Sequence, residues 1–351
     1  AERGVRQTAG SLSDLSTDPD PAAYRTLVPD SANIELTGNW TTKLGKNGSS
    51  LSLNGTVERA DTRSLSGLNT VTLTDPNGES LQRTYGELDP LARSSRTTTY
   101  SLGSTFNAPV GGWQLTATVD ASHANTDTKI DRYADNSALI AAAASGQLAI
   151  DAALPQTADG GYDEAHSTTD SATSLLTVMG SPFDLPAGTA SMTFNTGYAW
   201  NRINSSDTRN PGVETSLTRG DISAGINLGI PIASRREDAW AWLGDFNLNF
   251  SAGIDRVSDF GTLTNWTAGA VWGLTNKLNL QASYIARDTA PSLSQLSSPQ
   301  VQALNVPVYD FTRGETVLVT TTGGGNPDLA KQKQRDIRIA AMWTLPFFSR
   351  S

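Results

Sequence analysis

The 351-residue sequence contains no cysteine and only two histidines. Without cysteine it can form neither disulfide bridges nor zinc–thiolate sites. With only His123 and His166, the chain has too few histidines for a histidine-built metal centre and few candidates for the histidine of a Ser-His-Asp triad. No acid–base pair, nucleophile constellation or cofactor motif stands out in the remaining residues. The sequence therefore predicts a protein that is not an enzyme and that holds no metal and no cofactor.

Charged residues are also scarce. Asp, Glu, Lys and Arg make up 17% of the chain, against roughly 25% in an average globular protein. The net charge is −9, whereas nucleic-acid binding needs clustered Lys and Arg to neutralise phosphates. Nucleic acid is therefore excluded as a partner. Long apolar runs are missing too, and without a stretch of about 18 apolar residues the sequence predicts no transmembrane helix.

Apolar residues instead recur at every second position. In 221–230, Ile, Ala and Leu alternate with Asp, Ser, Gly and Asn, and in 240–254 Trp240, Trp242 and later apolar residues alternate mainly with Asp, Asn and Ser. This period is that of a β-strand with one apolar and one polar face. The same pattern recurs at 34–44, 51–57, 113–121, 190–200, 278–286 and 337–345.

The predicted strands are long. Several keep alternating for 9 to 15 residues, whereas a typical strand has about 5–6 residues and an oblique crossing of a bilayer needs about 9–11. Asn, Thr, Ser and Gly on the polar face suit a water-filled lumen. The sequence therefore predicts an all-β fold, the antiparallel wall of a transmembrane β-barrel with about 11–12 strands. The side chains expected to face lipid are Ile222, Ile226, Phe246, Leu248, Phe250, Trp266, Trp272 and Trp343.

Aromatic residues support this interpretation. Trp266 and Trp272 share a face six residues apart, which is about 20 Å along a strand at ~3.3 Å per residue. Trp and Tyr at both edges of an apolar band form the interfacial girdle of membrane barrels. The alternative is that these rings belong to the core of a soluble β protein, although such a core is rarely backed by so regular a polar face.

The predicted connections fall into two sizes. Short ones, rich in Gly, Pro, Asn and Asp, fit tight hairpins, and they lie at 45–49, 108–112, 182–188, 231–238 and 275–277. The long ones lie at 59–95, 122–167, 201–215 and 287–333. Outer-membrane barrels show this asymmetry, with short periplasmic turns and long extracellular loops.

The chain divides into a polar, Pro-rich segment that leads in over 1–32 and a barrel segment over 33–351. An Ala-rich stretch at 136–154 predicts a helix within one long loop. The last residues, 347–351, are expected to begin another short turn. We expect the chain to be a segment of a larger barrel.

Two stretches near the C-terminus go beyond architecture. The first runs from Arg287 to Leu296 and resembles the segment that opens a long extracellular loop in TonB-dependent outer-membrane receptors, with Gln295 where an acidic residue is usual. The second begins at Gly325 and resembles the motif by which the chain of those receptors re-enters the barrel, although Ala330, Gln332 and Lys333 depart from its Pro-Glu pattern. The matching residues are Arg287, Ala290, Pro291, Leu293 and Leu296 in the first motif and Gly325, Asn326, Pro327 and Leu329 in the second.

A further stretch, 27–44 followed by 61–68, resembles one bacterial subgroup of these receptors. The resemblance implies about half of a 22-stranded, multi-pass barrel in the Gram-negative outer membrane. It also implies active uptake: loops capture a scarce siderophore, cobalamin or glycan, a plug domain blocks the lumen, and TonB supplies energy. No segment of this sequence resembles the plug domain, the TonB box or the closing aromatic strand.

Loop residues provide candidate ligand contacts, because binding residues concentrate on loops held by a rigid scaffold. The aromatic and basic candidates are Arg132, Tyr133, Tyr309 and Arg313. Acidic loop residues offer a divalent-cation site as an alternative to solvated charges, but their spacing matches no calcium loop. These acidic residues are Asp127, Asp131, Asp135, Asp159, Asp163 and Glu164.

Two other functions remain open. A passive porin would form a complete barrel of 16 or 18 strands and conduct ions without a plug. A secreted adhesive β protein would be soluble and would lack a lipid-facing band. Dependence on detergent separates the soluble protein from both kinds of barrel, which contact outer-membrane lipid.

Overall fold

The computed structural model describes residues 4–8, 11–15, 18–155, 157, 159–209, 211 and 214–344. The predicted lead-in segment 1–32 lies partly outside these residues, and the turn predicted at 347–351 lies wholly outside them. In chain order the strands are β1 (Gly4–Thr8), β2 (Ser11–Leu15), β3 (Asp30–Leu44), β4 (Ser49–Leu65), β5 (Asn69–Thr74), β6 (Ser80–Tyr85), β7 (Ala92–Val110), β8 (Trp113–Asp131), β9 (Tyr162–Leu185), β10 (Gly188–Asp207), β11 (Glu214–Ala233), β12 (Asp245–Val257), β13 (Gly261–Thr275), β14 (Leu278–Thr289), β15 (Val301–Asp310), β16 (Glu315–Gly323) and β17 (Gln332–Trp343). The helices are α1 (Ser137–Ala144) and α2 (Leu293–Ser297), with 3-10 turns at Pro21–Tyr24 and Ala241–Leu243.

One large antiparallel sheet dominates the fold. Its order is β17-β14-β13-β12-β11-β10-β9-β8-β7-β4-β3, so nearly every strand pairs with its neighbour in the chain. In the described residues, the edge strands β3 and β17 are each paired on one side only. There are two smaller sheets in the described residues. In β2-β1-β6-β5 the hairpin between β4 and β7 pairs with strands that precede β3, and β15-β16 lies between β14 and β17. The predicted all-β antiparallel fold is thus confirmed, with eleven strands in the described part of the main sheet.

Cross-strand register places the apolar residues on one face. Phe250 lies opposite Leu228 on one side and Ala268 on the other, and the row continues through Tyr284 to Ile337. Directly paired residues point to the same side of a sheet. The eight residues predicted to face lipid therefore share this apolar face: Ile222, Ile226, Phe246, Leu248, Phe250, Trp266, Trp272 and Trp343. The alternate residues form the polar face.

Several strands continue beyond the limits that the sequence pattern suggested. β8 and β9 remain paired up to Asp131 and Tyr162, inside the predicted loop 122–167, and β4 extends to Leu65. Beyond the apolar band most residues on both faces of these strands are polar, so the regular hydrophobic alternation ends although backbone pairing does not. Cross-strand contacts hold some of these extensions, including the Lys129–Glu164 ion pair at 2.8 Å and the His166–Asp127 hydrogen bond at 2.7 Å.

The predicted strand over 240–254 is wrong in its first residues. Trp240 has a left-handed backbone with φ of 48°, and a 3-10 turn follows over Ala241–Leu243. Gly244 has φ of 87°, and a Cβ at this position would collide with the carbonyl oxygen of Gly273. The strand therefore begins only at Asp245. Trp240 and Trp242 are two positions apart in sequence, as residues on one face of a strand would be. In the structure they lie in a turn, and both side chains are exposed.

Candidate ligand-binding end of the sheet

The two ends of the main sheet differ in their connections. One end carries the turns at 45–48, 111–112, 186–187, 234–244 and 276–277. The other end carries the connections at 66–91, 132–161, 208–213, 258–260 and 290–331. Three of these, 66–91, 132–161 and 290–331, contain secondary structure and pack on one another. We call these three connections and the segment 18–29 the loop cap.

The loop cap has its own small hydrophobic core. Buried residues of the β5–β6 hairpin, among them Leu73 and Leu81, pack against Leu139 and Ala143 of α1 and against Ile150. The predicted helix in the Ala-rich stretch forms over its first part only. Alanine favours helix, and the packed core provides the apolar contacts that so short a helix needs to persist.

A buried arginine joins three segments of the cap. The Arg83 guanidinium donates to both carboxylate oxygens of Asp18 at 2.8–3.0 Å and to the carbonyl oxygens of Ile150 and Ala152 at 2.8 and 2.7 Å. The Arg83 side chain is 5% exposed and that of Asp18 is 3% exposed. The same carboxylate accepts the Thr84 N–H at 3.0 Å. The pair therefore fixes the hairpin against both neighbouring segments.

Asn305 forms a second junction. Its side-chain amide donates to the carbonyl oxygens of Ser66 at 2.8 Å and Leu68 at 3.2 Å, and its side-chain oxygen accepts the Tyr133 hydroxyl at 2.8 Å. Arg25 donates to the Asn305 carbonyl oxygen. The backbone of Asn305 is left-handed, with φ of 54°, a region that Asn tolerates better than most residues. One residue thus connects all three long connections and the segment 18–29.

Two of the candidate ligand contacts have partners within the chain. Arg132 donates to the Asp163 carboxylate at 2.8 Å, and Arg209 pairs with the other oxygen of that carboxylate at 2.6 Å. Tyr133 is half-buried beside Asn305, and burial raises the pKa of the Tyr133 phenol. Both side chains help to hold the cap together.

The other two candidates lie at an exposed hairpin tip. Tyr309 ends the β15 side of the hairpin, and its ring packs edge-on against Phe311 at 5.1 Å between ring centroids. Phe311 is 90% exposed, and the Arg313 side chain is 71% exposed between Asp310 and Glu315. The structure therefore separates Tyr309 and Arg313, at the tip, from Arg132 and Tyr133, in the packed part of the cap.

The first family-like motif turns the chain from β14 into α2. The Ser292 hydroxyl accepts the Gln295 N–H at 3.2 Å, and the Gln295 side chain accepts the Ser292 N–H at 2.8 Å, which is a capping box. Leu293 and Leu296 are buried where α2 meets β10 and β11. A glutamine can replace the usual acidic residue here because either side chain offers the accepting oxygen. Arg287, Ala290 and Pro291 lie just before this turn, and Arg219 donates to the Pro291 carbonyl oxygen at 2.6 Å.

The second motif closes against the first. The Gly325 and Asn326 N–H groups donate to the carbonyl oxygens of Ser298 at 2.9 Å and Gln295 at 2.7 Å. The Asn326 side chain then accepts the Asp328 N–H at 3.0 Å, so Asn326, Pro327 and Leu329 form the turn before β17. Two segments that are some 30 residues apart in sequence thus make one hydrogen-bonded unit at the sheet rim.

We predict that Gly325→Ala weakens this unit. A Cβ on Gly325 would lie 2.6 Å from the backbone carbon of Leu296 and 2.6 Å from the Ser298 nitrogen, and backbone cannot move aside as a flexible side chain can. We expect faster amide hydrogen exchange in α2 and about 1–3 kcal/mol lower local stability. Gly323→Ala is the matched control, because no atom lies within 4 Å of a Cβ there. Equal exchange in both variants would contradict this packing.

Sequence reasoning missed Arg83 and Asn305, and it considered Asp163 only as a candidate cation ligand or a solvated charge. Each joins segments that are apart in sequence, by 31 residues for Asp163–Arg132, 65 for Arg83–Asp18 and 239 for Asn305–Ser66. Their residue types alone carried no such signal, although a lone arginine within the apolar alternation of 80–85 was a weak one. Within the described residues, no group of three or more acidic or histidine side chains is arranged to hold a metal ion. Of the acidic loop residues, Asp163 and Glu164 are engaged in ion pairs, and Asp127 is hydrogen-bonded to His166.

The comparisons with known proteins agree with the fold. The family described as TonB dependent receptor-like, beta-barrel matches residues 32–338. A RagAB peptide transporter structure has a TM-score of 0.50 at 13% identity and covers 89% of this chain and 38% of the other. The RagAB peptide importer in its closed-closed state gives a TM-score of 0.49 at 14% identity, with the same coverage. The outer membrane transporter YddB from Escherichia coli gives a TM-score of 0.37 at 10% identity, with 89% and 52% covered.

The chain thus spans less than half of the RagAB chains and about half of YddB. No curated protein sequence matches it. No helix among the described residues is both long enough and apolar enough to cross a membrane. The family match extends over nearly the whole of the main sheet. The chain therefore belongs to the TonB-dependent receptor-like β-barrel family and is a protein of the outer membrane.

Proposed function

We propose that this chain is the barrel wall of an outer-membrane receptor for active uptake, whose loop cap captures the ligand and whose polar face lines its path. The observation that carries the proposal is the joining of three long connections into one packed cap at a single end of the sheet. A cap of this kind presents a fixed surface, and binding residues on a rigid support lose little entropy when a ligand binds. A plug domain and TonB are the partners that the proposal requires.

The apolar face contacts lipid in this proposal. Large apolar side chains remain exposed on it, including Leu248 at 39%, Phe250 at 43% and Trp343 at 66%. Exposure over so many strands would be costly in water, but acyl chains would cover it. The family-motif residues hold the loop entrance and the re-entry point together at the rim, as their shared hydrogen bonds suggest.

Of the four loop candidates, Tyr309 and Arg313 fit direct capture best. Their side chains are exposed at the hairpin tip, where an aromatic ring can stack on a ligand and a guanidinium can donate hydrogen bonds to it. Arg132 and Tyr133 support the cap instead. The specific ligand stays open at this point among iron chelates, cobalamin, glycans and peptides, the last being the cargo named for the RagAB transporter.

We expect cells that produce the full-length receptor to accumulate one class of labelled probe only when TonB is present. The probes are a ferric hydroxamate, cobalamin, neutral hexasaccharides and a hexapeptide, each measured in matched strains with and without TonB. The double variant Tyr309→Ala/Arg313→Ala should lower accumulation about tenfold, as the loss of two contacts implies. Lys46→Ala, on a turn at the opposite end of the sheet, is the control.

A passive porin would behave differently. It would pass small probes equally with and without TonB, and it would give steady ion conductance in a planar bilayer. Either result would contradict active uptake. A chain that stays monodisperse in buffer without detergent would favour the soluble adhesive protein instead.

A further inference from the structure

The polar face is not uniform across the sheet. From β10 to β14 its central part contains only Asn, Gln, Ser, Thr, Gly and one Val. We call this area the neutral patch, and define it as the polar-face residues within 191–197, 223–229, 247–253, 265–273 and 279–283. No side chain in the neutral patch carries a charge. Asp221 and Asp255 bound it toward the loop cap, and Arg338 lies opposite Ser283 at its β17 side.

Asparagine and glycine alternate across the strands of the patch. Gly225 lies opposite Asn195, Gly253 opposite Asn265, and Gly229 opposite Asn249. A Cβ on Gly253 would be 2.7 Å from the Asn265 side-chain oxygen, and one on Gly225 would collide with the Asn195 side chain. The amides therefore lie across the space that the glycines leave open. The patch is therefore a surface of amide and hydroxyl groups.

Three amides of the patch have no partner in the described part of the chain, whereas the Asn265 side chain donates to the Asp255 carboxylate at 3.2 Å. The exposed side chains of Asn227, Asn249 and Gln281 make no hydrogen bond to any described residue. Their surroundings form a shallow depression of about 480 Å³. Each side chain carries two donors and an acceptor, and each of the three residues is exposed.

The rest of the polar face shows that this is not a general property. On β7, β8 and β9 the hydroxyls pair across strands, as in Ser122–Ser171 at 2.7 Å and Thr97–Thr126 at 3.0 Å. Asn107 accepts the Thr116 hydroxyl at 2.8 Å. Several polar groups on β7, β8 and β9 thus pair with one another across strands, whereas Asn227, Asn249 and Gln281 in the neutral patch have no such partner among the described residues.

We propose that the neutral patch binds an uncharged oligosaccharide along the ligand path. Sugar hydroxyls both donate and accept, which matches amides that do the same. A ferric chelate with net charge, or a short peptide with charged termini, would find no opposite charge here and would lose hydration without compensation. The proposal rests on the proposed uptake function and names its substrate class. The plug domain is the competing occupant.

The test uses the full-length receptor purified in detergent. Binding of neutral hexasaccharides from starch, xylan and mannan is measured by calorimetry, with hexagalacturonate as the charged probe of equal length and ferric hydroxamate and a hexapeptide as probes of other classes. The variants are Asn249→Asp with Gln281→Glu, which replace donors by carboxylates. The matched control is Asn107→Asp on β7, outside the neutral patch, because an aspartate there can still accept the hydrogen bond from the Thr116 hydroxyl.

We expect one neutral hexasaccharide to bind and the double variant to weaken it at least tenfold, while Asn107→Asp changes affinity less than twofold. A second double variant, Asn249→Ser with Gln281→Ser, removes the amides without adding charge and should also weaken binding. It distinguishes loss of the amides from an effect of the new charges on folding. The proposal is overturned if no neutral hexasaccharide binds or if a charged probe binds more tightly than the neutral ones. It is also overturned if the double variant binds the hexasaccharide as tightly as the unmodified receptor. If the double variant binds the hexasaccharide normally but its plug domain becomes more sensitive to protease, the patch contacts the plug instead. That result would also overturn the proposal.

The two proposals can fail separately. TonB-dependent accumulation of the ferric hydroxamate would support uptake and overturn the oligosaccharide assignment. Neutral hexasaccharide binding that depends on Asn249 and Gln281, without any TonB-dependent accumulation, would support the neutral patch and overturn active uptake.

Discussion

Replacing Phe250 by arginine is expected to destabilise the folded protein in lipid by about 2–4 kcal/mol, the usual cost of a lipid-facing cation near mid-membrane in a β-barrel. Phe250 lies at the centre of the apolar face of β12, in a row with Leu228 and Ala268. Its ring is 43% exposed, so it has few protein neighbours to lose. In the proposed orientation an arginine there would have to reach past several apolar residues to meet water.

Asn249→Arg is the matched control, one residue away on the same strand. Asn249 lies on the polar face and is exposed, so its replacement should cost well under 1 kcal/mol. The measurement is equilibrium unfolding of the full-length receptor from lipid vesicles in denaturant. Equal losses for the two variants would refute the assignment of the apolar face to lipid. The same comparison at Leu248 and Asn247 should give a smaller difference, because Leu248 lies closer to the turn at 234–244.

Replacing Arg83 by leucine is expected to lower the stability of the loop cap by about 3–5 kcal/mol, as breaking one side of a buried ion pair does. The substitution leaves the Asp18 carboxylate buried without its main donor and removes hydrogen bonds from the carbonyl oxygens of Ile150 and Ala152. The effect should be confined to the cap, because the pair lies outside the main sheet. Hydrogen exchange of the β5–β6 amides measures it directly.

Two comparisons test the mechanism. Arg59→Leu removes an exposed partner of Asp61, with 47% and 38% of the two side chains exposed, and should leave stability nearly unchanged because solvent screens the pair. The double variant Arg83→Leu/Asp18→Leu should recover part of the lost stability, because no uncompensated charge then remains. If Arg83→Leu left exchange of the β5–β6 amides unchanged, the buried pair would not be what holds the hairpin.

The strands of the main sheet could be predicted wherever one face is apolar and the other polar. The alternation at 221–230 and at 113–121 is local, and a period of two has only one regular backbone that fits it. Where both faces are polar the signal disappears, which is why the extensions of β8 and β9 toward Asp131 and Tyr162 were predicted as loop. At Trp240 the pattern was present, but the glycine at 244 and the left-handed backbone overrode it.

The candidate site was predictable only in part. The two motifs around Pro291 and Pro327 could be recognised from their order and spacing, but not the hydrogen bonds that join Gly325 and Asn326 to α2. The neutral patch is visible in the sequence only once cross-strand register is known, because Asn249 and Gly229 are 20 residues apart. Register converts separate small polar residues into one surface.

The sequence by itself determined the strand pattern and the family-like motifs, because both depend on residue types at short spacing. It also showed that the chain has no thiol, few imidazoles and no apolar run long enough for a membrane-spanning helix. Only the tertiary structure decided which loop residues are free and which are structural. Asn305, Arg83 and Asp163 act through partners that are tens to hundreds of residues away. Such contacts form when loop closure brings distant segments together, and no local pattern records which segments will meet.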